Sequence, residues 1–83
     1  MAGALHLDAY RQFVADLVRA RHEAQLSQAK LATILDKPPS FVAKYELCER
    51  RLDLVEALVI LKALNVDADT FVQHIQESLP DHL

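Results

Sequence analysis

Eighty-three residues are enough for one small domain, and a chain of this size hides only about 60% of the surface its unfolded form exposes. An apolar content of 52%, one Gly and no Trp suit a compact all-helical bundle rather than a disordered chain, and the net charge of −3 argues against a nucleic-acid partner until the charges are located. No apolar run approaches the ~20 residues of a membrane span, the opening MAGALHLDAY lacks the basic start and long apolar stretch of a secretory signal, and the lone Cys48 cannot form an intrachain disulfide, which favours a reducing, cytoplasmic setting.

The periodicity predicts five helices in a single domain over residues 1–83. The first is expected after Asp8 and runs to about His22, with Tyr10, Phe13, Val14, Leu17 and Ala20 on its buried side and Arg11, Asp16, Arg19 and Arg21 on the rest. Ser27 is a good N-cap for a second helix opened by Gln28, in which Leu31, Ala32 and Leu35 share a face. Asp36-Lys37-Pro38 breaks that pattern, because proline removes a helical donor and pushes its predecessor towards extended geometry. Pro39 suits the first position of a third helix, where its missing N–H costs nothing. Val42 and Tyr45 then face inward, and Ser40, Phe41 and Lys44 point out. Two short helices about a tight turn, the second with a polar outer face, make a helix-turn-helix over about residues 27–47.

Beyond it, Asp53 and Glu56 form a capping box for helix four. Its expected core stripe is Leu54, Leu58, Leu61 and Leu64, widened by Val55, Val59 and Ile60, and Asn65 ends it in place of glycine. Asp67 caps helix five, where Ala68, Phe71, Val72, Ile75 and Leu79 recur at spacings of three and four until Pro80. That stripe exceeds what one small bundle can hide. An apolar surplus at a domain edge points to a partner surface. A homodimer through Phe71, Val72, Ile75 and Leu79 is expected, against a fifth helix that merely closes the core.

Charge is unevenly placed. Residues 19–51 carry seven bases and four acids, while residues 52–83 carry Lys62 against six acids. A basic helix-turn-helix with an acidic back suits a DNA-binding face. The histidines at 6, 22, 74 and 82 have no metal-ligand spacing among themselves or with Cys48, no glycine-rich phosphate loop is present, and Ser27, Ser40 and Ser78 lack a neighbouring His. Neither an enzyme nor a cofactor is expected.

The register Leu26-Ser27-Gln28, Leu31-Ala32, Leu35, then Ser40, Val42, Lys44, Glu46, and on through Leu54, Leu58, Leu64 and Val66, resembles the phage-repressor (Xre/Cro) type of helix-turn-helix regulator over roughly Phe13 to Val72. The resemblance implies a five-helix lambda-repressor-like fold and a sequence-specific regulator, a repressor acting as a homodimer on a palindromic operator in double-stranded DNA, with no small-molecule effector evident. The rival is an interaction module of the same fold, antitoxin-like or an adaptor, that reads no DNA. In the family, Arg21 pairs with Glu46 to tie helix one to the recognition helix, and Gln28 donates to a phosphate while bracing that helix. Arg50 and Arg51 fall where basic residues meet the sugar-phosphate backbone, and Lys37 adds a base at the turn. Pro39 stands where an amide side chain often reads a base, which moves discrimination to Ser40, Phe41 and Lys44, unless Phe41 is core and Lys44 binds phosphate. Asp36 and Cys48 occupy usual glycine positions. Asp36 tolerates the left-handed conformation. At Cys48 either the chain turns differently or the residue accepts a less common backbone, and a small structural role is expected over a redox switch.

Overall fold

Helix boundaries in this chain are set by short polar side chains and by left-handed residues that are not glycine. The computed structural model describes residues 2–83, with side chains from Leu7 onward, as α1 (Ala2–Glu23), α2 (Gln28–Ile34), α3 (Pro39–Glu46), α4 (Leu54–Ala63) and α5 (Ala68–Glu77), with no strand among the described residues. Ser27 Oγ accepts from the Lys30 N–H at 3.0 Å to start α2. Asp53 accepts from the Glu56 N–H at 2.7 Å while Glu56 accepts from the Asp53 N–H at 3.0 Å, the full capping box at α4. Asp67 takes both the N–H and the hydroxyl of Thr70 at the start of α5. Among α2 to α5, only α3 starts without a side-chain cap, after Pro38 and with Pro39 in its first turn.

Four helix ends share one device. Gln25, Asp36, Cys48 and Asn65 sit at φ of 59°, 57°, 60° and 58°. At each, two backbone bonds fold the chain back: Lys37 N–H to Ala32 O with Asp36 N–H to Thr33 O after α2, and Glu49 N–H to Lys44 O with Cys48 N–H to Tyr45 O after α3. These are Schellman ends, which usually recruit glycine. Cys48 therefore accepts the left-handed backbone, the second of the two alternatives for that position.

The core draws on the first four helices: Val14 and Leu17 from α1, Leu31 and Ala32 from α2, Val42 and Tyr45 from α3, and Ala57, Ile60 and Leu61 from α4, with Leu64 just past its end. α5 has no fully buried residue and leans on this core through Phe71, whose ring meets Phe13 edge-on at 6.2 Å.

Four expectations change. α1 begins at Ala2, not after Asp8; no proline lies between them, and Asp8 sits within the helix instead of capping it. Asp16 and Arg21 are buried, not on the outer face; the Asp16 carboxylate takes Gln12 and Arg19 from its own helix, and Arg21 is buried against Glu46. The core stripe of α4 is Ala57, Ile60, Leu61 and Leu64, whereas Leu54 and Leu58 remain 72% and 40% exposed. Both sets have helical spacing; the observed one turns small Ala57 inward and leaves Leu54 and Leu58 lining a cleft of about 280 Å³ with Val72, Ile75 and Leu79. Finally, α5 ends at Glu77, so Leu79 stands in the turn beyond the helix.

Candidate nucleic-acid interface

The turn between α2 and α3 is built from local chemistry. The left-handed Asp36 closes α2, Pro38 keeps one extended residue at φ −61° and ψ 151°, and Pro39 reopens the helix. With Val42 and Tyr45 wholly buried, the rotation of α3 is fixed and its opposite side faces solvent. Pro39, Ser40 and Lys44 are exposed there, the last two as expected. Phe41 is not a freely outward residue. It is half-buried, packed edge-on against Tyr45 at 5.7 Å, with the Lys37 ammonium 5.5 Å and the Arg50 guanidinium 4.9 Å from its ring centre.

Behind α3 lies a buried charged knot. Arg21 donates through Nε to Glu46 Oε2 at 2.7 Å and through Nη2 to Glu46 Oε1 at 3.1 Å, with side chains only 9% and 7% exposed. Its Nη1 also holds the Leu26 carbonyl at 2.8 Å, at the entry to α2. Gln28 donates to Glu46 Oε1 at 2.7 Å, so the first residue of α2 is braced against the end of α3. A bidentate guanidinium–carboxylate pair fixes both distance and orientation, and here it joins α1, α2 and α3. The neighbouring Tyr45 hydroxyl is buried and has no hydrogen-bond partner among the described residues. Burial, and next the adjacent Glu46 carboxylate, push this phenol well above its ordinary range, while Arg21 acts the other way.

Past α3 the two arginines diverge. Arg50 donates from Nη1 and Nη2 to the two oxygens of Glu56 at 3.0 and 2.7 Å, and from Nη1 to the Arg51 carbonyl at 3.0 Å. The guanidinium, followed by the Asp53 backbone N–H, holds the Glu56 carboxyl down at about 2. Arg50 is thus engaged within the chain while its side chain stays 41% exposed. Arg51 is exposed and lies 4.2 Å over the ring of Tyr10, whose hydroxyl accepts the Leu52 N–H at 3.0 Å. Glu56 and Tyr10 were missed from sequence as parts of this face: the capping box already accounts for one Glu56 oxygen, and nothing in the spacing links Tyr10 to a loop 42 positions away.

Among the described residues, Lys30, Lys37, Lys44 and Arg51 make no ion pair, whereas Arg19, Arg21 and Arg50 are matched to Asp16, Glu46 and Glu56. Two further described cations are unmatched, Arg11 on α1 and Lys62 on α4, but the first four all belong to α2, α3 or the segments that flank α3. No group of three His, Cys, Asp or Glu among the described residues is placed to hold a metal ion, and no described helix is long and apolar enough to cross a membrane.

A helix-turn-helix family model matches residues 17–71. No curated protein matches the chain. Among solved structures, the chain is similar to an XRE-family like protein from Pseudomonas syringae pv. tomato str. DC3000, at 31% identity and a TM-score of 0.89, over 94% of this chain and 95% of that one. The match spans all five helices and the register Leu26 to Val66, and the chain belongs to the Xre type of helix-turn-helix DNA-binding regulators.

Proposed function

We propose that this chain is a sequence-specific regulator that binds double-stranded DNA as a homodimer, α3 entering the major groove, and represses transcription by occupying a palindromic operator. The observation that carries the reading is the exposed side of α3, fixed from behind by the Arg21–Glu46–Gln28 knot, with Lys44 on that helix and Lys30, Lys37 and Arg51 on α2 and the flanking segments, all without an acidic partner among the described residues. Ser40 can donate to or accept from a base edge, and Lys44, one turn on, can reach guanine O6 and N7. Phe41 offers only part of its ring to a thymine methyl, and Pro39 offers shape. Gln28, Lys37 and Arg51 are assigned to phosphate. Gln28 keeps one amide hydrogen beyond the one given to Glu46, and the start of α2 favours an anion.

The dimer is assigned to the cleft between α4 and α5. Val72 and Leu79 are 48% and 45% exposed beside Leu54 and Leu58, whereas Phe71 and Ile75 are half-buried and support the surface from within. Two copies would place their α3 helices on half-sites ~34–36 Å apart. Leu79→Glu should give a folded monomer with weakened operator binding, and sedimentation showing a wild-type monomer at high micromolar concentration would remove the dimer.

The deciding experiment is binding across a randomised half-site at several salt concentrations. Log K should fall with log salt by about 0.9 per phosphate neutralised, to at most roughly 3.6 per protomer for four cations. Lys44→Ala should relax preference at one base pair by ~1–3 kcal/mol. Uniform weakening with every base preference intact would make Lys44 a phosphate contact, and flat or absent binding at low salt would favour an interaction module.

A further inference from the structure

The Arg50 fork is the least expected feature of the face. Arginine after a recognition helix is well placed to meet a phosphate, yet this one is held by both oxygens of Glu56 and laid on Phe41 at 4.9 Å. Its three neighbours belong to different parts of the fold. Phe41 lies in the first turn of α3 and touches the core through Tyr45. Glu56 lies in the first turn of α4, where its Oε1 also receives the Asp53 N–H. The Arg51 carbonyl belongs to the loop between them. A planar guanidinium that is bidentate to a carboxylate and stacked on a ring has little freedom left, because each contact fixes a different axis of the plane. Its charge is also matched at contact distance, so it releases no counterion from DNA.

We propose that Arg50 is a positioning residue for DNA reading: clamped by Glu56 and stacked on Phe41, it sets how α3 is held against the start of α4, and Glu56 withholds its charge from the phosphates. The inference rests on the reading of α3 as the DNA-facing helix. Glu56 then trades affinity for discrimination. It removes one cation from the non-specific attraction that acts on every sequence, and it steadies the helix that carries Ser40 and Lys44. Lys37, 5.5 Å from the same ring and without an acidic partner, keeps its charge for DNA.

The test uses a duplex selected by the wild-type protein from a randomised pool and a random-sequence duplex of equal length, each titrated over a range of salt. Glu56→Gln retains a side chain that serves the capping box but loses the fork. It should bind the random duplex more tightly, with a salt slope steeper by about 0.9 per protomer, and the selected-to-random affinity ratio should fall about tenfold. The double variant Arg50→Gln/Glu56→Gln removes both charges without changing the net charge. Its slope should match wild type, and its ratio should fall to a similar extent. Arg50→Lys keeps the charge but not the planar fork, so it should lose the ratio too. The proposal is overturned if the double variant flattens the slope by about one unit while preserving the ratio, because Arg50 is then a phosphate contact. It is equally overturned if Arg50→Lys keeps the full ratio, or if neither slope nor ratio responds in Glu56→Gln. Wild-type protein that binds neither duplex at low salt overturns the DNA-facing reading itself, an outcome distinct from any change confined to the variants. Melting curves of all three variants identify a loss that comes from unfolding, and Arg50→Lys, which leaves the cap untouched, decides the matter if the Gln variants melt early.

Discussion

Glu46→Gln is the most informative single change in this chain. Glu46 accepts three hydrogen bonds, from Arg21 Nε, Arg21 Nη2 and Gln28 Nε2, at 2.7, 3.1 and 2.7 Å. A glutamine amide keeps one oxygen and turns the other site into a donor, so at least one donor would face a donor. The Arg21 charge, on a side chain 9% exposed, would be left with neutral acceptors, the retained amide oxygen and the Leu26 carbonyl, and no counter-charge. Breaking a buried pair by removing one partner costs roughly 3–5 kcal/mol, most of it from the stranded charge. A domain of this length has a total stability of only roughly 4–12 kcal/mol, so the variant should lose about a quarter of it or more. At about 4–8 °C per kcal/mol for a small domain, Tm should fall by at least roughly 12 °C. The companion Arg21→Met/Glu46→Leu, which leaves no charge behind, should melt above Glu46→Gln, since an apolar pair of similar shape is often neutral or stabilising. Thermal denaturation by circular dichroism measures both. An unchanged Tm in Glu46→Gln, or a double variant that melts lowest, would refute the buried-pair account.

Three other expectations can be checked with the same instrument. The Tyr45 hydroxyl is buried without a partner among the described residues, and an unmade hydrogen bond there costs about 1–3 kcal/mol; Tyr45→Phe should therefore hold or raise Tm, and a clear drop would mean the hydroxyl is satisfied. Cys48 sits at φ 60°, where a residue with a Cβ is disfavoured by about 1–2 kcal/mol relative to its usual backbone, part of which glycine returns as unfolded-chain entropy; Cys48→Gly should raise Tm by a few degrees, more than Asn65→Gly does, and a loss would place the Cys48 side chain in the packing. The Glu56 carboxyl is held down at about 2 by Arg50 and the Asp53 N–H, below its ordinary value of 4.5, and Asp67 is lowered by its bonds to Thr70. A depressed folded pKa means that the unfolded state binds more protons in that window, so stability is complete above the ordinary value and declines as pH falls from about 4.5 towards 2. Glu56→Gln should flatten this acid limb, and an identical limb in the variant would contradict the pairing.

How far the sequence discloses this fold depends on the range of each interaction. Caps and breaks are local, so Ser27, Asp53 with Glu56, Asp67 and the Pro38-Pro39 turn are readable from neighbouring residues. The Arg21–Glu46 pair spans 25 positions and has no signature in spacing; only the family resemblance points to it. The α4 stripe illustrates a different limit. Leucines at 54, 58, 61 and 64 and the set 57, 60, 61 and 64 both satisfy a 3.6-residue period, and the choice is made by which side of α4 meets the other helices. Hydrophobicity favoured the larger Leu54, yet small Ala57 took the buried place. Asp16 had its partners in view at Gln12 and Arg19, one helical turn away on either side. Its burial, however, depends on α5 lying across α1, where His74 stands 3.9 Å from its second oxygen.

The net charge of −3 gives the wrong impression of the surface that matters. Three of the acids in the chain are matched at contact distance by Arg19, Arg21 and Arg50, and two of these pairs, Arg21–Glu46 and Arg50–Glu56, lie beside the helix-turn-helix. Those acids contribute little field beyond their partners, so the surface near α3 carries the unmatched Lys30, Lys37, Lys44 and Arg51 against the unmatched Asp36 and Glu49. Of the nine remaining acids, four, Asp67, Asp69, Glu77 and Asp81, belong to α5 and the residues flanking it. In the DNA-binding reading this division has a consequence for specificity. A uniformly basic domain holds any duplex by its bulk charge, whereas a domain with four local cations and an acidic far side holds non-specific DNA weakly at physiological salt. Discrimination then rests on the few base contacts of α3 and on how rigidly it is held. The buried knot behind the helix and the Arg50 clamp at its end act on the same quantity, the orientation of Ser40 and Lys44.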